Sequence, residues 1–118
     1  MKRRIDLVDQ VLYRRLVSEG KEGNLPTYSD IAVDVNLDTK SPDDLGKLDV
    51  LLQEIDAYEH EHGRPLLSSI VVIEGDRVPR AAYFESARSL GKLKRSGKMA
   101  EMDFWVIEVN AVYRAWGG

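Results

Sequence analysis

Apolar residues recur at helical spacing near both ends of the chain. The first set is Ile5, Val8, Leu12 and Leu16. Steps of three and four residues place such a set on one face of a helix, which predicts a helix over 4–18. The same spacing over 102–116 is the strongest helix signal in the chain.

Two capping signals mark further helix starts between these ends. Thr27 followed by Asp30 resembles a capping box and predicts a short helix over 28–33. Ser41 and Pro42 are typical of an N-cap and a first helical residue. They predict a second helix that runs to His62 and ends at Gly63.

A continuous apolar run over 65–73, "PLLSSIVVI", has the length and composition of a buried strand. A turn, "EGDR", and a short edge strand, "VPRAAYF", complete a predicted β-hairpin, followed by a helix over 84–90. This order predicts one α+β domain over 1–118. It is mostly helical and resembles a winged helix-turn-helix, with a small β-hairpin and a long C-terminal helix.

The segments "LPTYSDIA", "LGKL" and "RPLLSSIVVIEGDRVP" carry a family resemblance over residues 25–80. They resemble the DNA-binding domain of the alkylguanine-DNA alkyltransferase and alkyltransferase-like family. The matching residues are Tyr28, Ile31, Ala32, Pro65, Val71, Val72 and Gly75. The resemblance implies a winged-helix fold that binds DNA. It does not imply alkyl transfer, because Leu66 and Leu67 stand where the family has Cys and His.

Charge is distributed unevenly along the chain. The net charge is -3, but acidic residues dominate 25–76 and basic residues dominate 77–98. The basic side chains form a candidate site for nucleic acid or an acidic partner: Arg77, Arg80, Arg88, Lys92, Lys94, Arg95 and Lys98. Alternatively, they only balance the acidic half of the same molecule.

A protein partner is the second binding hypothesis. The predicted helix over 41–62 is too acidic for a helix that enters a DNA groove, because phosphates repel carboxylates. Asp43 and Asp44, together with Trp116 near the C-terminus, are therefore candidate protein-binding residues. The alternatives are helix capping with a solvent-exposed face for the acids, and core packing for the aromatic residue. Opposite charges in one chain also favour self-association.

The sequence offers no catalytic, metal or cofactor site. It contains no cysteine, which removes thiolate chemistry and is compatible with a reducing cytoplasm, where we place the protein. His60 and His62 point away from each other on a helix, and no G-x-S-x-G elbow surrounds Ser68 and Ser69. The chain lacks a signal peptide and a membrane-spanning apolar run.

These observations favour a non-catalytic regulatory or interaction module that binds a protein partner or a second copy of itself. A DNA- or RNA-binding protein that docks through residues 77–98 is the first alternative. A small hydrolase or transferase is the second.

Overall fold

The computed structural model describes residues 3–117, which are mostly helical and contain no strand. The six α-helices are α1 (Arg4–Leu7), α2 (Gln10–Glu22), α3 (Tyr28–Ala32), α4 (Pro42–Glu61), α5 (Ala81–Ser89) and α6 (Lys98–Gly117). Two 3₁₀ turns, Val33–Val35 and Leu67–Ile70, lie between them. None of the described helices is long and apolar enough to cross a membrane.

The helix starts follow the capping signals. The Thr27 hydroxyl accepts from the Asp30 N–H, and the Asp30 carboxylate accepts from the Thr27 N–H, so the predicted capping box is confirmed. Ser41 caps α4 as predicted by accepting from the Asp44 N–H. The predicted first helix is divided, because the carboxylate of Asp9 accepts from the Leu12 N–H and begins a new helix there.

The predicted α+β fold with a β-hairpin is wrong. The apolar run over 65–73 forms the 3₁₀ turn Leu67–Ile70. Val72 makes an isolated parallel bridge with Thr27, instead of the expected pairing between this run and 78–84. The predicted turn over 74–77 is closed by a hydrogen bond from the Ile73 N–H to the Val78 carbonyl. The expected edge strand over 78–84 does not form, because α5 begins at Ala81. Burial and β-branching favour a strand, but here the Ser68 N–H bonds to the Asp56 side chain instead of to a neighbouring strand.

Two apolar clusters make up the interior, and α6 spans both. The larger cluster includes Leu12, Leu16, Ile31, Leu48, Ile55, Ile70 and Val112. The smaller cluster consists of Leu66, Tyr83, Phe84, Ala87 and Leu93, covered by the first half of α6. Helices α2 and α6 approach closely at Gly20, where a Cβ atom would lie 3.3 Å from Val112 Cγ1.

Candidate functional site

Most acidic side chains of α4 are engaged within the molecule. Asp49 accepts two hydrogen bonds from Arg80 at 3.0 Å, and Glu54 and Glu61 both pair with Arg4. These pairs leave little free negative charge on the helix.

The two acidic residues predicted to bind a protein partner lie at the start of α4. Asp43 is exposed, whereas Asp44 caps the preceding turn by accepting from the Asp38 N–H at 2.9 Å. Asp44 therefore has a structural task that does not need a partner.

Asp56 is a buried carboxyl group that the sequence analysis treated as part of a solvent-exposed acidic face. Its Oδ1 accepts from the Ser68 N–H at 3.0 Å, and its Oδ2 accepts from the Ser68 hydroxyl at 2.5 Å. Burial raises the pKa of Asp56 to about 7, although the two bonds from Ser68 lower it, and the charges of Glu108 and Glu59 add to the rise. Asp56 therefore titrates near neutral pH inside the protein.

Glu59 is the second buried carboxylate of α4, and it is paired. Arg64 donates two hydrogen bonds to it at 2.8 and 2.9 Å, and the Tyr13 hydroxyl donates a third at 2.6 Å. The Arg64 guanidinium also lies over the rings of Tyr58 and Trp116, at 5.5 and 5.9 Å from their centroids. These contacts connect α2, α4 and α6 through one ion pair.

Trp116, predicted to bind a partner, is folded back onto this network. Its ring packs edge-on against Tyr13 and belongs to the boundary of the larger apolar cluster. Its indole N–H is buried and has no hydrogen-bond partner. The side chain therefore contributes mainly to packing between α6 and α2.

The serines of the 3₁₀ turn Leu67–Ile70 are buried. The Ser69 hydroxyl lies 2.5 Å from the Tyr83 hydroxyl, and the Ser69 carbonyl accepts from the Trp105 indole N–H. The cavity beside Asp56, Ser68 and Tyr83 measures about 10 Å³, which is room for about one water molecule. A buried serine beside a carboxyl group, without room for a substrate, is a structural arrangement.

The basic residues of 77–98 do not form one free surface. Arg80 pairs with Asp49, Arg88 pairs with Glu101, and the Lys92 ammonium donates to Glu108 at 2.9 Å. Within residues 3–117, the other four basic side chains make no ion pair: Arg77, Lys94, Arg95 and Lys98. The last three belong to the turn between α5 and α6 and to the first residue of α6.

The histidines offer no metal site. The Nδ1 of His62 lies 2.9 Å from the Tyr58 carbonyl at the end of α4, and His60 is exposed. Across the described part of the chain, no group of three or more His, Cys, Asp or Glu residues could hold a metal ion.

Apart from Leu7 in α1, the large exposed apolar side chains of the described residues lie on two surfaces, and the sequence predicted neither surface. One lies at a groove of about 400 Å³, here called the α4 groove, whose lining residues are Asp9, Val35, Leu37, Lys47, Val50 and Leu51. Val50 is 54% exposed, and the elements around the groove also expose Val11 and, to 72%, Val33.

The other exposed apolar surface is the outer face of α6. Met99, Val106 and Ile107 are 78, 51 and 64% exposed. The helix is apolar on both faces, which is typical of a helix with neighbours on both sides. Exposed apolar surfaces of this kind are typical of sites that bind a partner, so these two surfaces are stronger candidate sites than the polar interior.

No family model matches this chain, and neither a curated protein nor a solved structure is similar to it.

Proposed function

We propose that the protein is a non-catalytic regulatory or interaction module that binds a protein partner in the α4 groove. The observation that carries this proposal is the open groove of about 400 Å³ lined by Val35, Leu37, Val50 and Leu51. Apolar surface in water costs about 25 cal/mol per Å², so an exposed apolar groove favours a partner that covers it.

An amphipathic helix is the partner segment that fits this groove best. The groove lies between α4, the start of α2 and the 3₁₀ turn Val33–Val35, and amphipathic helices bind in apolar grooves through a few apolar anchors. Asp9 and Lys47 line the groove with opposite charges, and both can pair with charged groups of a bound helix, although Asp9 Oδ1 also accepts from the Leu12 N–H.

The polar interior supports a role without catalysis. The hydroxyl groups of Ser68 and Ser69 are buried, and the adjoining cavity of about 10 Å³ admits about one water molecule and no substrate. We also propose a cytoplasmic setting, for which the absence of cysteine is the supporting observation.

Nucleic-acid binding through 77–98 is the alternative function. Lys94, Arg95 and Lys98 favour it, because they are exposed, unpaired within residues 3–117 and close in sequence. Arg80, Arg88 and Lys92 oppose it, because their charges are engaged in ion pairs and contribute less to phosphate binding. The proposed resemblance to the alkyltransferase DNA-binding domain, which residues 25–80 carry, also favours this alternative.

The proposal is tested by selecting peptides from a library of amphipathic helices with varied apolar anchors on the immobilised full chain. Selected peptides are then measured by fluorescence anisotropy on the wild type and on Val50→Glu. A charge in the centre of the groove should weaken binding at least about tenfold, the effect expected when an apolar contact is replaced by a charge.

Val106→Glu is the matched control, because Val106 is exposed to nearly the same extent but lies on α6. Binding to this variant should equal binding to the wild type. Peptides that respond to Val106→Glu and not to Val50→Glu contradict the proposal, as does a library that yields no binder.

A further inference from the structure

We propose that the outer face of α6 binds a second copy of the chain, with the two α6 helices packed antiparallel around a two-fold axis. This inference rests on α6 alone and does not depend on the α4 groove. Three observations on α6 carry it: a stripe with exposed apolar side chains, two exposed side chains of opposite charge on the same stripe, and the distance between those two charges along the helix.

The stripe follows from helical geometry. At about 100° per residue, one face about a quarter of the helix wide contains Met99, Asp103, Val106, Ile107, Asn110 and Arg114. All six are exposed. From Met99 to Arg114 the stripe is about 23 Å long, on a helix of 20 residues that is comparable in length with helices that pair in bundles.

The charges on this face are arranged for self-pairing. Asp103 and Arg114 are eleven residues apart, which is about three turns, so they point the same way and lie about 16 Å apart along the axis. Within residues 3–117 neither makes an ion pair. An isologous contact places residue i against j and j against i, so an antiparallel copy satisfies both charges of both chains.

The position of the axis follows from this pairing. If Asp103 faces Arg114 of the second copy, the two-fold axis passes between the levels of Glu108 and Val109. The Ile107 side chains of both copies then lie next to the axis on the same flank and pack against each other. Val106 lies on the other flank, beside a depression of 90 Å³ lined by Leu25, Trp105, Val106, Val109 and Asn110.

The self-complementary order of charges selects a second copy over an unrelated partner. An apolar face alone would fit many helices, whereas an acid and a base three turns apart on one face can each pair with the opposite charge of a reversed copy. A parallel pairing of the same faces would oppose Asp103 to Asp103 and Arg114 to Arg114, and like charges at that distance repel.

The test uses charge reversal and sedimentation equilibrium. The wild type should form a dimer, and Asp103→Arg and Arg114→Asp should each weaken it about tenfold, because each replaces two attractive pairs by two repulsive ones. An equimolar mixture of the two variants should restore the wild-type affinity as a heterodimer, since every charge again faces its opposite. Both positions are exposed, so circular dichroism should give the wild-type helix content for each variant.

Ile107→Asp is the second variant, and it should weaken dimerisation more than either charge reversal, because the two introduced carboxylates meet near the axis. A wild type that stays monomeric up to about 1 mM overturns the proposal, since its affinity is then weaker than millimolar. A dimer that is insensitive to Ile107→Asp, or variants whose mixture does not regain affinity, also overturns it.

Discussion

Replacing Asp56 by asparagine should stabilise the protein at pH 8 and have a smaller effect at pH 5. Asparagine keeps an oxygen for the Ser68 N–H and an amide group for the Ser68 hydroxyl, but it carries no charge into the interior. Asp56 has a pKa of about 7 in the folded protein, against an ordinary value of 3.8. Folding therefore favours the protonated form of this carboxyl group.

The sign and size follow from proton linkage. The folded state holds a proton that the unfolded state releases between pH 3.8 and about 7, so the contribution of Asp56 to stability falls as the pH rises through that interval. At 1.36 kcal/mol per pH unit the full loss is about 4 kcal/mol. Of this, about 3 kcal/mol is lost between pH 5 and pH 8.

Urea unfolding of wild type and Asp56→Asn at both pH values measures this difference. Tryptophan fluorescence is a suitable signal, because Trp105 donates to the Ser69 carbonyl one residue from the Asp56 contact. Subtracting the two proteins cancels the carboxyl groups and histidines that they share. An advantage of the variant that is equal at pH 5 and pH 8, or larger at pH 5, would refute the reasoning.

Three further predictions concern the ion pair, two glycines and the basic turn. Arg64→Met should cost about 3 kcal/mol in urea unfolding, because it leaves the buried Glu59 charge unpaired; a cost below about 1 kcal/mol would contradict this. Gly46→Ala, on the exposed face of α4, should stabilise the protein by up to about 1 kcal/mol, because alanine favours a helix. Gly20→Leu, at the contact between α2 and α6, should destabilise it by about 2 kcal/mol, because the larger side chain does not fit. Melting temperatures that shift equally in the two variants would contradict this packing. Heparin should retain the wild type no longer than a variant with alanine at Lys94, Arg95 and Lys98, because the proposed function does not use the basic turn; longer retention of the wild type would favour the nucleic-acid alternative.

Most helix starts could be predicted from the sequence, because the residues that cap a helix are close to it in the chain. Thr27 and Ser41 bond to N–H groups three residues ahead, so a single sequence contains the whole cap. The prediction of a strand over 65–73 was wrong, because contacts with residues distant along the chain determine the conformation of this segment. A continuous apolar segment is compatible with a buried strand and with a buried 3₁₀ turn, and the choice depends on Asp56, which lies in another helix.

The burial of Asp56 and Glu59 was not predicted, because the acids of α4 were considered as a group and not by their positions on the helix. Leu52, Ile55, Asp56 and Glu59 follow the three-and-four spacing of the buried face of α4, so the sequence contained a signal for two buried acids. Their partners could not be found in the same way, since Tyr13 and Ser68 are distant along the chain. The periodic apolar residues over 102–116 mark the inward face of α6, so the pattern gave no signal for Met99 and Ile107 on its exposed side.

Methyl-resolved NMR of the chain with a selected amphipathic peptide tests the proposed function most directly. If the peptide occupies the α4 groove, the methyl signals of Val35, Val50 and Leu51 should shift in proportion to the bound fraction. The methyl signals of Val106 and Ile107 on α6 should stay in place. Shifts confined to α6, or no shifts in the groove at saturating peptide, would contradict the account.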